Sequence, residues 1–313
     1  MASSMKWLLM GYSGYVTIDD HQTIMTSFGL TLNENVIQST GVGRIFTGEE
    51  FDRFKMDAVR DYPGYDISIT CDANFSILNY FLSRVSTGFH SFIEVRFKDD
   101  ASGIEYYFDK CCLTSLQLSV DNNAAASLTC GFVTFKDEIE VDFDYEHDHR
   151  KGRNAPSELV GDVLLPYWAW GVEYPDFTDE DLYTFNISYS QQVTPKFGCY
   201  GEDAYNALKP KKIVFGVPEV KYELTYIVAD ETHTHDYRIH SNRVALSRKT
   251  LKVKYKQQFR QETRRLPIDF EFSMTDCYPD TYSPQYANTG DVNKMTISGT
   301  VYGKIRYTVT SRG

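Results

Sequence analysis

The hydrophobic and polar positions alternate most regularly over residues 113–137, LTSLQLSVDNNAAASLTCGFVTFKD. Leu116, Leu118 and Val120 alternate with Ser115, Gln117 and Ser119; after a polar turn at Asp121, Asn122 and Asn123, the residues Ala126, Leu128, Cys130 and Phe132 alternate with Ser127, Thr129 and Gly131. A period of two puts each set on its own face of a strand, so the stretch predicts a long two-stranded ribbon with one apolar face. Weaker alternation predicts further strands at 27–33, 65–71, 91–98 and 104–110. Between the second and third of these the period changes. Phe75, Leu78, Phe81, Leu82 and Val85 recur at threes and fours behind Asp72 or Asn74, which predicts one capped amphipathic helix.

A second series of strands repeats the first. Phe28 to Val36 lies over Phe185 to Val193 without a gap at a separation of 157 residues (28 to 185), which brings Gly41 onto Gly198. The same separation lays Tyr65–Cys71 over Tyr222–Val228, and one residue further on Ile93, Val95 and Phe97 answer to Leu251, Val253 and Tyr255. A period of half the chain predicts an internal duplication. The first β domain is then 1–150 and the second 151–313, joined near 144–162, where the chain is polar, mixed in charge and broken by Gly152 and Pro156. The expected fold class is mainly β, two tandem β-sandwich or barrel units, each with a long loop and at most one packed helix. In the second unit the polar segment 230–242 replaces the helix, and Pro279 and Pro284 predict a long loop between last strands at 266–275 and 294–301. Each unit also carries a connection of roughly thirty residues after its first strand, 34–64 and 191–221; loops of that length are uncommon unless they pack on something. Occurring twice, they point to contact with a neighbouring molecule, through Val36 and Gly41 in one and Val193 and Gly198 in the other.

Composition narrows this picture. Aromatic residues are 15% of the 313, with 23 Tyr and 20 Phe against 10 Pro, which favours a packed, strand-rich chain. The apolar run Trp7–Met10 is too short for a leader, and no run of about 18 apolar residues could cross a bilayer, so folding in a cytoplasm without a membrane is expected. Cys71, Cys111, Cys112, Cys130, Cys199 and Cys277 form no CxxC and read as reduced core residues. Residues 1–150 hold 11 Lys and Arg against 23 Asp and Glu, net −12; the rest of the 32 and 43 is net +1. A chain of net charge −11 lacks the basic face that a nucleic-acid binder needs.

Candidate chemistry is sparse. His147 and His149, and His233 and His235 near His240, share a face if extended, but lack a third ligand at diagnostic spacing and read as solvated loops rather than a metal site. The run Lys136–Tyr145 alternates acids with apolar residues, as a strand with one wet acidic face does; a glycosidase would need a second carboxylate across a cleft. Tyr167–Tyr174, YWAWGVEY, is either the first strand of the second unit, with its aromatics in the core, or a sugar-stacking surface. Lys252 and Lys254, with Lys256, share one strand face and read as an electrostatic joint to the acidic half of a neighbour or as a solvated face, with nucleic-acid binding a third option that the chain's overall charge disfavours. No nucleophile triad, phosphate loop or cofactor motif is present in a supporting context, so no enzyme activity and no cofactor is expected.

A β unit with one helix, a long loop after its first strand and a late hairpin of the type LTSLQLSVDNNAAASLTCGFVTF resembles the tail tube fold of tailed bacteriophages. The resemblance covers residues 27–137 best and 185–301 through the repeat. It implies a structural virion protein, with no catalytic residues, that assembles in the host cytoplasm into the tail tube or a tube-like ring of the baseplate or tail end. It implies partners among neighbouring tail proteins and copies of itself, three duplicated chains making a ring of pseudo-sixfold symmetry, with double-stranded DNA passing through unbound. Hairpin strands would join edge to edge between subunits, which places Leu116, Leu118 and Leu128 at the joint, and an acidic wall would repel the DNA backbone. The alternative is a carbohydrate-binding β-sandwich or adhesin, which rests on the aromatic run.

Overall fold

The structure, a computed structural model, describes residues 14–33, 36–38, 58–60, 64–99, 104–122, 124–135, 140–143, 165–175, 182–196, 210–227, 249–256, 268–285 and 293–311. The chain is mainly β. Among the described residues the strands fall into two runs of nine. The first run is β1 (Gly14–Ile18), β2 (His21–Asn33), β3 (Val36–Gln38), β4 (Ala58–Arg60), β5 (Gly64–Asp72), β6 (Ile93–Asp99), β7 (Ile104–Asp121), β8 (Ser127–Thr134) and β9 (Glu140–Phe143). The second is β10 (Trp170–Glu173), β11 (Leu182–Ser190), β12 (Val193–Lys196), β13 (Lys212–Phe215), β14 (Glu219–Ile227), β15 (Lys249–Lys256), β16 (Ile268–Gln285), β17 (Lys294–Val301) and β18 (Ile305–Ser311). Among the described residues one helix, α1 (Phe75–Val85), follows β5, and a 3-10 turn at Tyr167–Ala169 precedes β10.

In the first run, β7, β6, β1, β2, β5 and β8 pair in that order, all antiparallel, and β8 pairs back to β7 to close a six-stranded barrel. One strand serves two neighbours because it bends. An extra residue between Phe108 and Cys111 and another at Thr114 interrupt the β7 ladders, and such bulges turn a strand and tighten its twist. The early part of β7 therefore lies along β6 and the later part along β8. The two strands expected at 104–110 and 113–120 are this one bent strand.

The second run repeats the order. The strand β16 pairs with β15 and, beyond the first of its bulges, with β17; β17 leads to β14 and β11, and β15 to β10. The bulges recur at matching places, between Met274 and Cys277 and at Asp280 in β16, and at Tyr183 in β11 as at Thr26 in β2. Cys111 and Cys277 are both buried, and each thiol points to the carbonyl three residues back, Phe108 at 3.9 Å and Met274 at 3.4 Å. Outer strands match as well: β9 pairs with the start of β7 and β18 with the start of β16. Following the registers around from Cys111 and Cys277 makes Leu128 equivalent to Met295, Cys71 to Tyr226, Ile69 to Leu224 and Phe28 to Phe185. The last pair is the one that the sequence pattern aligns; on β14 the equivalence stands two residues from the ungapped alignment.

One difference separates the runs. Among the described residues β10 does not pair with β11, and the open side of β11 lies instead along β7, Thr184 opposite Asp121 through Ser190 opposite Ser115. The two halves thus share one sheet, and a single cluster of buried side chains, from Val16 to Ile297, runs through both.

The predicted helix is α1, and its cap is Asn74, whose Oδ1 accepts from the Ile77 N–H at 2.9 Å while its Nδ2 donates to the Gln22 carbonyl at 2.9 Å. Ile77, Leu78, Tyr80, Phe81, Leu82 and Val85 are its buried face. Asp19, held at a φ of 40° in the β1–β2 turn, ties that helix down: its carboxylate accepts from the Tyr80 hydroxyl at 2.6 Å and from the Glu94 N–H at 2.8 Å.

Two expectations change. The long loop expected around Pro279 and Pro284 is strand, since β16 continues to Gln285. Proline survives in a sheet at a bulge or where its missing N–H faces no partner; Pro279 sits beside the Asp280 bulge, and Pro284 is taken up below. The long connections are not wholly loop: β3 pairs with β4, and β12 with β13, as hairpins at the same place in each run. The expected junction at 144–162 lies outside the described residues.

Candidate assembly interface

The later parts of the long strands build one broad sheet in the order β2, β5, β8, β7, β11, β14, β17, β16, four strands from each run, with the β7–β11 pairing at its centre. Its inner face is apolar. Leu116, Leu118 and Val120 of β7, Leu128 and Cys130 of β8, and Phe185, Ile187 and Tyr189 of β11 are all buried. Its outer face carries short hydroxyl and amide side chains. Cross-strand rows read Thr70, Thr129, Gln117, Ser188, Lys221, Thr300 and, one strand pair over, Ser127, Ser119, Asn186, Glu223, Ser298, Thr281.

These outer residues bond to one another. The hydroxyls of Thr70 and Thr129 lie 3.3 Å apart and those of Thr225 and Thr296 3.1 Å apart; Asn186 donates to Glu223 at 3.1 Å, Gln117 to Ser119 at 3.2 Å, and the Thr300 hydroxyl to Asp280 at 3.0 Å. The cross-strand pairs among these add to the backbone ladder, with Thr225 and Thr300 themselves buried. The charges there are mostly acidic, Asp66, Asp72, Asp121, Glu219, Glu223 and Asp280 against Lys221 and Lys294.

The residues expected at an interface divide into three groups. Leu116, Leu118 and Leu128 point into the core, so they brace the central pairing from behind instead of meeting another molecule with their side chains. The free edge expected of the 113–137 hairpin is filled: β8 lies between β5 and β7, and the outer side of β7 is taken by β11 of the same chain. Both halves of the joint were in the sequence, but pairing partners far apart in the chain leave no mark on alternation. Lys252 and Lys254 bind within the chain. Glu173 of β10 lies opposite Lys252 across the ladder, its carboxylate 3.5 Å from the Lys252 amine and hydrogen-bonded to that of Lys254. The Lys254 hydrogen bond, with help from Lys252, holds the Glu173 carboxyl below its ordinary value. The expected electrostatic joint is thus met by this chain's own acid. Val36 opens β3 opposite Arg60, and Val193 opens β12 opposite Phe215, at the foot of the two hairpin arms; Gly41 and Gly198 lie outside the described residues.

The aromatic run resolves into two parts. Trp170 and Tyr174 are buried, Trp170 edge-on to Phe185, Tyr255 and Phe270 at centroid distances of 5.3–5.4 Å, while Tyr167 and Trp168 are exposed on the 3-10 turn. The four histidines of the candidate metal motifs lie outside the described residues. Among the described residues no group of three or more His, Cys, Asp or Glu is placed to hold a metal, and no helix is long and apolar enough to cross a membrane. Burial pushes the Cys71 and Cys112 thiols up to about 12 and that of Cys277 up to about 11, the opposite of a nucleophile's shift. Comparison with models of known protein families and with curated proteins finds no match for this chain.

Proposed function

We propose that this chain is a duplicated tail-tube-like protein of a tailed bacteriophage, a structural component of the virion tail that assembles into rings lining the DNA conduit. The observation that carries the reading is the central β7–β11 pairing: two nine-strand runs of one topology join edge to edge into a sheet with a packed inner face and a hydroxyl-lined outer face. A unit that joins its own copy in this way is a ring segment holding two of the ring's positions. Three chains, each supplying two positions, then give pseudo-sixfold symmetry.

A wall of Ser, Thr, Asn and Gln with scattered, mostly acidic charges suits passage of a polyanion. It offers no basic stripe whose counterions DNA would displace on binding, so the duplex slides without being held. The acidity of residues 1–150 adds a repulsive background.

The test is negative-stain microscopy with mass measurement of the purified chain. Rings or stacked tubes with a central hole support the reading; a monodisperse monomer at high concentration overturns it. A monomer that binds glycans through Tyr167 and Trp168, losing them in a double alanine variant, would favour the adhesin alternative.

A further inference from the structure

The central pairing has a counterpart at each outer end of the broad sheet. At one end β2, from Ser27 to Asn33, pairs with β5 on one side, and among the described residues no strand lies on its other side, since β1 reaches only to Ile24. At the other end β16, from Thr281 to Gln285, pairs with β17 on one side, and among the described residues no strand lies on its other side, the pairings with β15 and β18 reaching Cys277 and Met274. These are the equivalents of the two strands that meet at the centre: β2 stands for β11 and β16 for β7.

The side chains behind the two ends differ from those at the centre. Phe185 and Ile187 are buried, whereas their equivalents Phe28 and Leu30 are only half-buried; Leu116 and Leu118 are buried, whereas Tyr282 is half-buried and Pro284 exposed. A strand edge backed by half-exposed apolar side chains is a template for another strand. Each end is the structural equivalent of the strand that the other end's equivalent pairs with at the centre, so the chain already makes this pairing once within itself.

We propose that β16 of one chain pairs antiparallel with β2 of a second copy, head to tail, in the register of the β7–β11 pairing. Leu116 opposite Tyr189 and Gln117 opposite Ser188 translate into Tyr282 opposite Leu32 and Ser283 opposite Thr31, with Gln285 opposite Gly29. The contact is heterologous, each chain using one end for each neighbour, so it closes into a ring or runs on as a filament according to its rotation. It names the partner surface that the tube reading requires, but rests on the strand ends left open among the described residues and would stand in a filament as well as in a ring.

The bonding order inside the joint follows from its first bond. Gln191 N–H donates to the Thr114 carbonyl at 2.8 Å, so the alternate pairs from there, Leu116 with Tyr189 and Leu118 with Ile187, exchange hydrogen bonds, while Gln117 with Ser188 does not. Ser283 and Thr31 are therefore a non-bonded pair, the kind whose side chains approach closest and whose Cα separation suits a disulfide. Both side chains are exposed.

The experiment is oxidation of the T31C/S283C double variant at assembling concentration, read on non-reducing gels beside both single variants, the unsubstituted chain and the off-register pair T31C/T281C. The expected result is disulfide-linked dimers and trimers from T31C/S283C, with markedly less from T31C/T281C and none from the unsubstituted chain, with circular dichroism confirming that each variant folds. Rings in the microscope without cross-links overturn the joint and leave the tube reading in place. Cross-linked open filaments uphold the joint and overturn the ring. Equal cross-linking of the off-register pair overturns the register and with it the proposal.

Discussion

At the scale of single residues, burial decides behaviour. The thiols of Cys71, Cys112 and Cys277 are held neutral by desolvation, so they should resist alkylation at pH 8 in the native chain and react at once in denaturant, counted by mass spectrometry. Their folded values lie above the ordinary 9.0, so the unfolded chain releases these protons first as pH rises. The stabilisation is complete below about pH 9 and is lost progressively towards about 12, so the melting temperature should fall across that window. Gly299 has no room for a side chain: a Cβ there would stand 2.1 Å from the Tyr278 carbonyl oxygen and 2.6 Å from the Tyr222 hydroxyl. Gly299→Ala should therefore cost about 1–3 kcal/mol in chemical denaturation, by overpacking across β16, β17 and β14. The equivalent phenylalanines offer a matched comparison. Phe185→Ala should cost about 3–5 kcal/mol, and Phe28→Ala distinctly less in the isolated chain, because Phe28 is only half-buried there.

Elements depend on a few local devices. Removing the α1 cap by Asn74→Ala should lower stability by about 1–2 kcal/mol, since it frees the Ile77 N–H and the Gln22 carbonyl together; differential scanning calorimetry would read it as a drop in melting temperature. The helix, its cap, the late hairpin and the repeated strands were all legible in the sequence, because each is written in short-range periodicity. The course of β16 was not. Pro279 and Pro284 look like loop residues until the bulge at Asp280 and the one-sided pairing of the strand end show where a missing N–H does no harm. The fate of Lys252 and Lys254 was hidden for a different reason: their acid, Glu173, lies on a strand whose pairing with β15 is set by the whole second run. Solvent screens that triad, its side chains being 24–47% exposed, so reversing both lysines should change stability by no more than about 1 kcal/mol.

For the whole molecule, the seam between the halves is a backbone ladder behind hydroxyl and apolar side chains. Copies joined in the same manner should then stay assembled as salt is raised to 0.5 M, roughly, a range over which surface charge attraction is largely screened; light scattering would show the mass unchanged. Dissociation by salt would mean that charges, and not strand ends, hold the copies together. The candidate interface was half-visible in the sequence. The alternating hairpin announced a strand in search of a neighbour, but whether that neighbour was another chain or the same one depended on β11, which lies more than sixty residues further along.

Pro284 bears on how such copies come together. It stands where Leu118 stands at the centre, and by the same bonding order its nitrogen faces the outer end of the sheet, where it has no hydrogen to give. A contact between copies therefore lacks one donor that the contact within a copy possesses, and it lets go first. Misplaced neighbours can leave and try again while each chain stays whole, and a Pro284→Leu exchange should trade that forgiveness for haste, giving faster, more heterogeneous polymers in a time course of light scattering.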